Sequence, residues 1–344
     1  MKKTLVAVAA LAASAAFAQS SVTLYGVADA YFGSEKIDGV TSQTVVNSGG
    51  LSTSRIGVSV KEDLGAGLSA FAIVESAVDL DGSGSNLPVG TLPAATNTNS
   101  ASFGKSVVGL SGDFGAVSLG RQDTPLQDAW NNILDLQGNS GFSAATAALV
   151  GNAGAAGATL FNYNNSVRYD SPNFDGFSGA IQVGLGEDKD IPAGSGSASR
   201  GVSLNLAYAN GPLAAGLAYQ NDKNQGSGNG SDEITALAGS YDFGVAKLGL
   251  GYTRLKDAAP GSNSERLVNV GVTVPFGAFT VAGQYAQKEE SNVSGNSKSF
   301  ALEGRYALSK RTTAYAGYNS TKDNIGGGAD FKTNRFGVGI RHVF

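Results

Sequence analysis

The sequence predicts an all-β protein: a transmembrane, antiparallel, up-and-down β-barrel of sixteen strands. Three observations predict it. Apolar and polar residues alternate with period two from near the start to the last residue. Short turns and long polar connections also alternate along the chain. The N-terminus reads as an export signal.

The signal comes first in the chain. Lys2 and Lys3 form a positive region, Thr4 to Ala15 is uncharged and mostly apolar, and Ala16-Phe17-Ala18 supplies a small-x-small cleavage pattern. The apolar stretch is shorter than the ~20 residues a spanning helix needs. Residues 1–18 are therefore expected to be a signal peptide cut between Ala18 and Gln19, leaving residues 19–344 as one barrel domain. Removing Lys2 and Lys3 from the 24 basic residues leaves 22 against 28 acidic, a formal charge of −6. Such a balance argues against nucleic-acid binding. With 0 Cys, an exported chain cannot be a disulfide scaffold.

Each strand is justified by its two faces, because successive side chains of a strand point to opposite sides. Val22, Leu24, Ala28, Ala30 and Phe32 oppose Thr23, Tyr25 and Asp29. Ile56, Val58 and Val60 oppose Arg55, Ser59 and Lys61. Leu248, Leu250 and Tyr252 oppose Gly249, Gly251 and Thr253, and Phe300, Leu302 and Tyr306 oppose Ser299, Glu303 and Arg305. The last strand sets Phe336, Val338, Ile340 and Phe344 against Arg335, Gly337 and Arg341. Seven short turns punctuate these strands, at Glu62–Gly67, Gly112–Gly115, Ser171–Gly176, Asn210–Pro212, Asp242–Gly244, Pro275–Gly277 and Leu308–Arg311. Longer polar segments lie between them, among them Gly33–Gly50, Gly186–Arg200, Asn221–Ser231 and Glu289–Asn296. Seven turns join fourteen strands, and the first and last make sixteen. One short-turn rim and one long-loop rim is the arrangement of a barrel in an outer membrane. Closure pairs every backbone polar group and turns the apolar face to lipid. Strand-end aromatics such as Tyr208, Tyr219, Tyr241, Tyr252, Tyr285 and Tyr306 fit interfacial girdles.

Several segments resemble the Gram-negative general diffusion porins, particularly those of the β-proteobacterial type. They are Ser21-Val22-Thr23-Leu24-Tyr25-Gly26, Ser54-Arg55-Ile56-Gly57, Glu62-Asp63-Leu64-Gly65, Val108-Gly109-Leu110-Ser111-Gly112, Leu119-Gly120-Arg121-Gln122, Asn165 to Pro172 and Arg341-His342-Val343-Phe344. They run in order over nearly the whole mature chain. The resemblance implies a homotrimer of sixteen-stranded barrels in outer-membrane lipid and lipopolysaccharide. It also implies a third external loop folded inward as a constriction, and a terminal Phe344 read by the barrel-assembly machinery.

The loop after the fifth strand is then the candidate site. Thr124-Pro125-Leu126-Gln127 reads as a helix start, with a Thr cap and Pro at the first helical position. A helix running to Leu136 places Asp128 and Asp135, seven apart, on nearly one face. Arg121 and Asp123 begin the loop, and Arg55, Lys105 and Arg168 fall out of step with the apolar residues and should point inward. These seven residues are the expected pore constriction. Fixed charges of opposite sign across a wet gap set up a transverse field, and the sign in excess decides ion preference. The basic wall points to a weak preference for anions. Much of the acid lies in outer loops, at Asp79, Asp81, Glu187, Asp188, Asp190, Glu289 and Glu290. The expected function is passive diffusion of small hydrophilic solutes and ions, without cofactor or metal. The alternative is a substrate-specific channel, for which Trp130 on the loop is the aromatic of interest. Enzymatic hydrolysis is disfavoured, because the single His, His342, lies in phase with the lipid-facing residues.

Overall fold

A computed structural model describes residues 20–39, 41–82, 103–138, 140–150, 161–186, 200–223, 231–256, 263–326 and 330–344. The expected signal peptide, its cut at Ala18 and Gln19, and most of the segments Gly186–Arg200 and Asn221–Ser231 lie outside these residues.

Among the described residues, seventeen strand segments form one antiparallel sheet that closes on itself. In chain order they begin with β1 (Ser21–Ile37), β2 (Gln43–Ser48), β3 (Arg55–Gly65), β4 (Leu68–Ala77), β5 (Phe103–Gly112) and β6 (Gly115–Asp123). β7 (Asn162–Asp170), β8 (Phe177–Gly184), β9 (Arg200–Asn210), β10 (Leu213–Lys223), β11 (Ser231–Asp242) and β12 (Lys247–Lys256) continue the wall. β13 (Ser264–Phe276), β14 (Phe279–Glu290), β15 (Ser297–Ala307), β16 (Thr312–Asp323) and β17 (Phe331–Val343) complete it.

β2 and β3 share one place in the wall: Glu35 to Ala30 of β1 pair with Gln43 to Ser48, and Val27 to Ser21 pair with Arg55 to Lys61. The barrel therefore has sixteen strand positions. The break between β2 and β3 is held by a buried carboxylate. Asp29 accepts the backbone N–H groups of Gly50, Leu51 and Ser52 at 3.1, 2.9 and 2.8 Å, and the Tyr315 hydroxyl at 2.5 Å. These bonds satisfy donors that the interrupted ladder leaves open. All seven expected short turns are present. The expected long loop Gly33–Gly50 is not: β1 runs on to Ile37 and β2 starts at Gln43. Thr44, Val45 and Val46 pair with Ser34, Gly33 and Phe32, and β-branched residues suit such a ladder.

Closure runs between β1 and β17 in an unbroken register from Val27↔Val343 to Ile37↔Thr333. Phe344 extends the seam, exchanging backbone hydrogen bonds with Gly26 at 3.0 and 3.1 Å. The two faces separate as the alternation requires. Val22, Leu24, Val58, Leu119, Leu250, Phe300 and Val338 are exposed outward, whereas Gln182, Ser203, Gln220, Ser299 and Glu303 are buried inside. Outward aromatics pair across strands at the short-turn rim: Phe177 with Tyr208 at 4.5 Å and Phe279 with Tyr306 at 4.4 Å between ring centres. Tyr241 and Phe243 stand 4.7 Å apart at the same level. No described helix is long and apolar enough to cross a membrane; the strands do so.

An outward charge must therefore meet hydrocarbon, and an inward one water. Leu250→Arg, on the outer face of β12, should destabilise folding into lipid vesicles by about 2–4 kcal/mol, the cost near the bilayer midplane. Ser59→Arg, on the inner face of β3, should cost less than about 1 kcal/mol. Urea titrations of vesicle-refolded protein measure both, and equal costs would contradict the assignment of faces.

Candidate pore constriction

The segment joining β6 to β7 folds into the barrel. Its first turn is a short helix, Pro125–Ala129, whose start follows the residue pattern: Thr124 is the N-cap and accepts the Gln127 N–H at 3.2 Å. The helix does not continue to Leu136 as its sequence suggested. From Trp130 to Leu134 the turn widens, and the Asp135 N–H reaches back five residues to the Trp130 carbonyl at 2.9 Å. The cause is local. The Asn132 side-chain amide donates to the Asp128 carbonyl at 2.7 Å, competing with the backbone ladder.

This widening moves Asp135 away from Asp128. Asp135 is buried, accepting the Gln137 N–H at 2.9 Å, the Gln284 amide at 3.0 Å and the Thr146 hydroxyl at 3.3 Å. It ties the loop to β14 and stands apart from the charges near Arg168. A second helix, Ala144–Val150, continues the infolded segment. Leu126, Trp130, Leu134 and Ala148 join a core with Ala218, Ile234, Leu267 and Ala301 of the wall. Small wall residues make room: a Cβ on Gly249 would stand 2.6 Å from Leu136, and one on Gly216 would stand 2.7 Å from Ile133. Trp130 is buried, its indole N–H donating to Thr146 at 3.3 Å, so it anchors the loop and does not line a solute path.

Polar clamps complete the docking. Asn205 donates to the Pro125 carbonyl at 2.8 Å, Asn269 to the Leu134 carbonyl at 2.9 Å and Asn319 to the Phe142 carbonyl at 3.1 Å. Fully buried Glu303 accepts from Ser140 of the loop and pairs with Arg305, which also donates to the Gln137 carbonyl at 3.3 Å. Arg335 donates to the Gly141 carbonyl at 2.6 Å and to Glu35 at 2.8 Å.

Against this docked loop, Arg55, Lys105, Arg121 and Asp123 line one lumen space of ≈ 580 Å³, together with Tyr25, Glu75 and Asn131. Arg55 pairs with Glu75 at 3.3 Å, and Tyr25 donates to the same carboxylate at 3.0 Å. Lys105 stands opposite Glu75 in register. Arg121 reaches this space through a bulge. It shares the strand phase of outward Leu119, but the register of β6 on β7 shifts between Gly120 and Gln122 and turns it inward. Arg121 donates to Asn164, and Asp123 accepts from Asn162 at 2.6 Å.

Arg168 and Asp128 line a neighbouring space of ≈ 320 Å³. Arg168 is heavily engaged, pairing with Asp128 at 2.5 Å, with Asp170 at 3.0 Å and with the Asp123 carbonyl at 2.9 Å. It clamps both ends of the loop's first turn. Burial raises the Asp128 carboxyl above the ordinary range, against the opposing pull of Arg168. Two inward groups lie outside the seven expected constriction residues. Glu75 organises Arg55 and Lys105, and Arg341 donates to Ser52 at 2.8 Å within electrostatic reach of Arg55 and Arg305. Strand phase was the available signal for Arg341, which opposes Val338 and Ile340; Glu75 shares its phase with Phe71 and Ile73, so phase alone does not mark it.

A model describing Gram-negative porins matches residues 4–326. Outer membrane porin protein 32 of Delftia acidovorans is 34% identical over 369 residues, covering 100% of both chains. A second outer membrane porin, from Bordetella pertussis, is 32% identical over 407 residues, again covering 100% of each. Among solved structures, an anion-selective porin from Comamonas acidovorans superposes with a TM-score of 0.77 at 27% identity, covering 95% of this chain and 100% of that one. The family match and the end-to-end relatives give one answer: the chain belongs to the Gram-negative porin family, as a channel of the outer membrane.

Proposed function

We propose that the chain is a general diffusion pore for small hydrophilic solutes, weakly preferring anions, with no catalytic role. The observation that carries the anion preference is the lumen space shared by Arg55, Lys105 and Arg121, beside Arg341. The solved porin it superposes on is itself described as anion-selective, which supports the reading. The seven sequence-derived charges divide by role. Arg55, Lys105, Arg121 and Asp123 set the field; Arg168 and Asp128 set it and hold the loop; Asp135 holds the loop. Buried Trp130 is not available to a sugar-specific track.

The remaining expectations extend this reading. Residues 1–18 direct export and are removed. The barrel works as a homotrimer in outer-membrane lipid and lipopolysaccharide, after Phe344 has been read by the assembly machinery. N-terminal sequencing of protein taken from outer membranes should start at Gln19, and a start at Met1 would refute the cleavage.

Planar-bilayer reversal potentials in a salt gradient test the site. A unit charge at 4 Å is worth about 1 kcal/mol in water. Arg55→Glu should therefore move the cation-to-anion permeability ratio several-fold towards cations. Arg168→Gln should instead add current noise, because it frees the loop. An unchanged potential for Arg55→Glu would remove it from the constriction.

Acidity provides a second test. A carboxyl raised by burial is charged above its folded pKa and loses its charge as pH falls through that value. Anion preference should consequently rise on acidification, starting above the range of an ordinary Asp. In Asp128→Asn that early rise should vanish; if it persists, Asp128 is not its source.

A further inference from the structure

Two opposite charges face each other across the closing seam and do not pair. Asp29 of β1 is directly opposite Arg341 of β17, on the inner face. Opposite charges at such positions on neighbouring strands attract. Here the carboxylate is engaged elsewhere. Its Oδ1 accepts the Gly50 N–H at 3.1 Å and the Tyr315 hydroxyl at 2.5 Å. Its Oδ2 accepts the Leu51 and Ser52 N–H groups at 2.9 and 2.8 Å. Four accepted bonds use the four lone-pair sites of a carboxylate, and Asp29 is fully buried. The Arg341 guanidinium turns instead to a neutral partner, its Nε donating to the Ser52 hydroxyl at 2.8 Å. Among the described residues, no carboxylate forms an ion pair with Arg341.

The stretch Gly50 to Ser54 links this carboxylate to the charges of the lumen. Ser52 presents its N–H to Asp29 and its hydroxyl to Arg341. One residue on, the Thr53 carbonyl accepts from Arg55 at 3.3 Å. The Ser54 hydroxyl donates to the Asp29 carbonyl at 2.8 Å and accepts the Asp29 N–H at 3.0 Å, which fastens the far end of the stretch to β1. The Gly50 carbonyl accepts the Gly141 N–H at 2.9 Å, so the infolded loop rests on the same stretch. Ser52, Thr53 and Arg55 line the lumen space of ≈ 580 Å³. An arginine side chain has many rotamers, and holding its charge in one place requires acceptors that are themselves fixed. Both arginines take such an acceptor from residues 52 and 53, and those residues take their own position from Asp29.

We infer that Asp29 is a positioning residue for ion preference: by committing its carboxylate to the backbone of residues 50–52, it fixes the acceptors of Arg341 and Arg55 and leaves the charge of Arg341 unpaired towards the lumen. The inference rests on the anion-preferring pore proposed above and adds the residue that holds its field in place. Asp29 has two effects of opposite sign. As a negative charge it favours cations. As a scaffold it favours anions, because it keeps Arg341 beside the ion path. The scaffold effect outweighs the other. Three successive N–H groups and a hydroxyl point at the carboxylate, and their partial positive charges offset its own, whereas the partner of Arg341 is a neutral hydroxyl. An amide at this position cannot replace the carboxylate. It offers one acceptor oxygen instead of two, and its NH2 would meet N–H donors. Residues 50–52 would be released, and the Ser52 hydroxyl with them.

The sign of a selectivity change separates the two roles. The measurement is the anion-to-cation permeability ratio of the full mature protein in planar bilayers, at about 0.1 M salt, where charges act over about 10 Å. Asp29→Asn should lower the ratio by about twofold, the effect of moving a unit charge from about 4 to about 8 Å from the ion path. A carboxylate that acted only as a buried charge would raise the ratio when removed. Ser52→Ala leaves Asp29 and its backbone bonds in place and deletes the Arg341 acceptor alone, so it should lower the ratio as well. Arg341→Gln gives the full loss of that charge, about fivefold. Added to Arg341→Gln, Asp29→Asn should have a smaller effect than it has by itself, because the two act through one group. Urea titration of vesicle-refolded protein checks that each variant folds. Should Asp29→Asn fail to fold, Ser52→Ala decides, and an unchanged ratio there refutes the proposal. An unchanged or raised ratio in folded Asp29→Asn refutes it too. Wild-type protein without anion preference would overturn the pore reading and this inference together; a wild-type preference that survives both substitutions removes Asp29 alone.

Discussion

Backbone hydrogen bonding without water is the constraint on which this structure depends. In hydrocarbon an unpaired N–H or C=O costs several kcal/mol, so a sheet in a membrane cannot have an edge. The seam between β1 and β17 meets that demand from Val27↔Val343 to Ile37↔Thr333, and Phe344 carries it one step further by bonding Gly26. Once the sheet is closed, period-two geometry fixes the rest: alternate residues face lipid or lumen, and every inward position becomes available for polar chemistry. Where the wall strand breaks between β2 and β3, the gap is filled by Asp29, whose oxygens take up the freed N–H groups.

The infolded loop poses the opposite problem, because irregular backbone at membrane depth must be satisfied by protein or water. The wall answers with side chains of fixed length and donor pattern. Asn205, Asn269 and Asn319 each reach a loop carbonyl, and Gln284 bridges Asp135, Ser143 and the Ala145 N–H. Glycines at 216 and 249 let Ile133 and Leu136 come close to the wall. The constriction is thus as rigid as its anchors, and most of those anchors come from strands far along the chain.

That distance explains what was legible in the sequence. Strand faces, the seven short turns, the strand count and the capped helix start all follow from neighbours within a few residues, and the structure has each of them. Arg55 and Lys105 could be aimed inward by phase alone. Arg121 reaches the lumen through a bulge that local phase does not encode, and its place next to the loop is the one sequence feature that points there. A continuous helix would set Asp135 beside Asp128, and a side-chain bond from Asn132 undoes that spacing. The loop expected at Gly33–Gly50 became strand because its residues had a partner in β1, and pairing partners are a tertiary property.

An acidic chain with a basic wall is consistent once its charges are sorted by what they face. Glu303 and Asp135 are buried in clamps, so their charge is spent on the loop. Glu233 pairs with Lys256 on the outer side, and Glu289 faces Arg266 there. None of these adds to the field across the lumen space of Arg55, Lys105 and Arg121. Ion preference depends on local excess at the narrow, wet section, where low-dielectric walls focus the field. The net charge of the chain is mostly a property of its rims and buried clamps. A substitution in those rims can therefore change the charge of the whole protein while leaving selectivity where Arg55 and its neighbours set it.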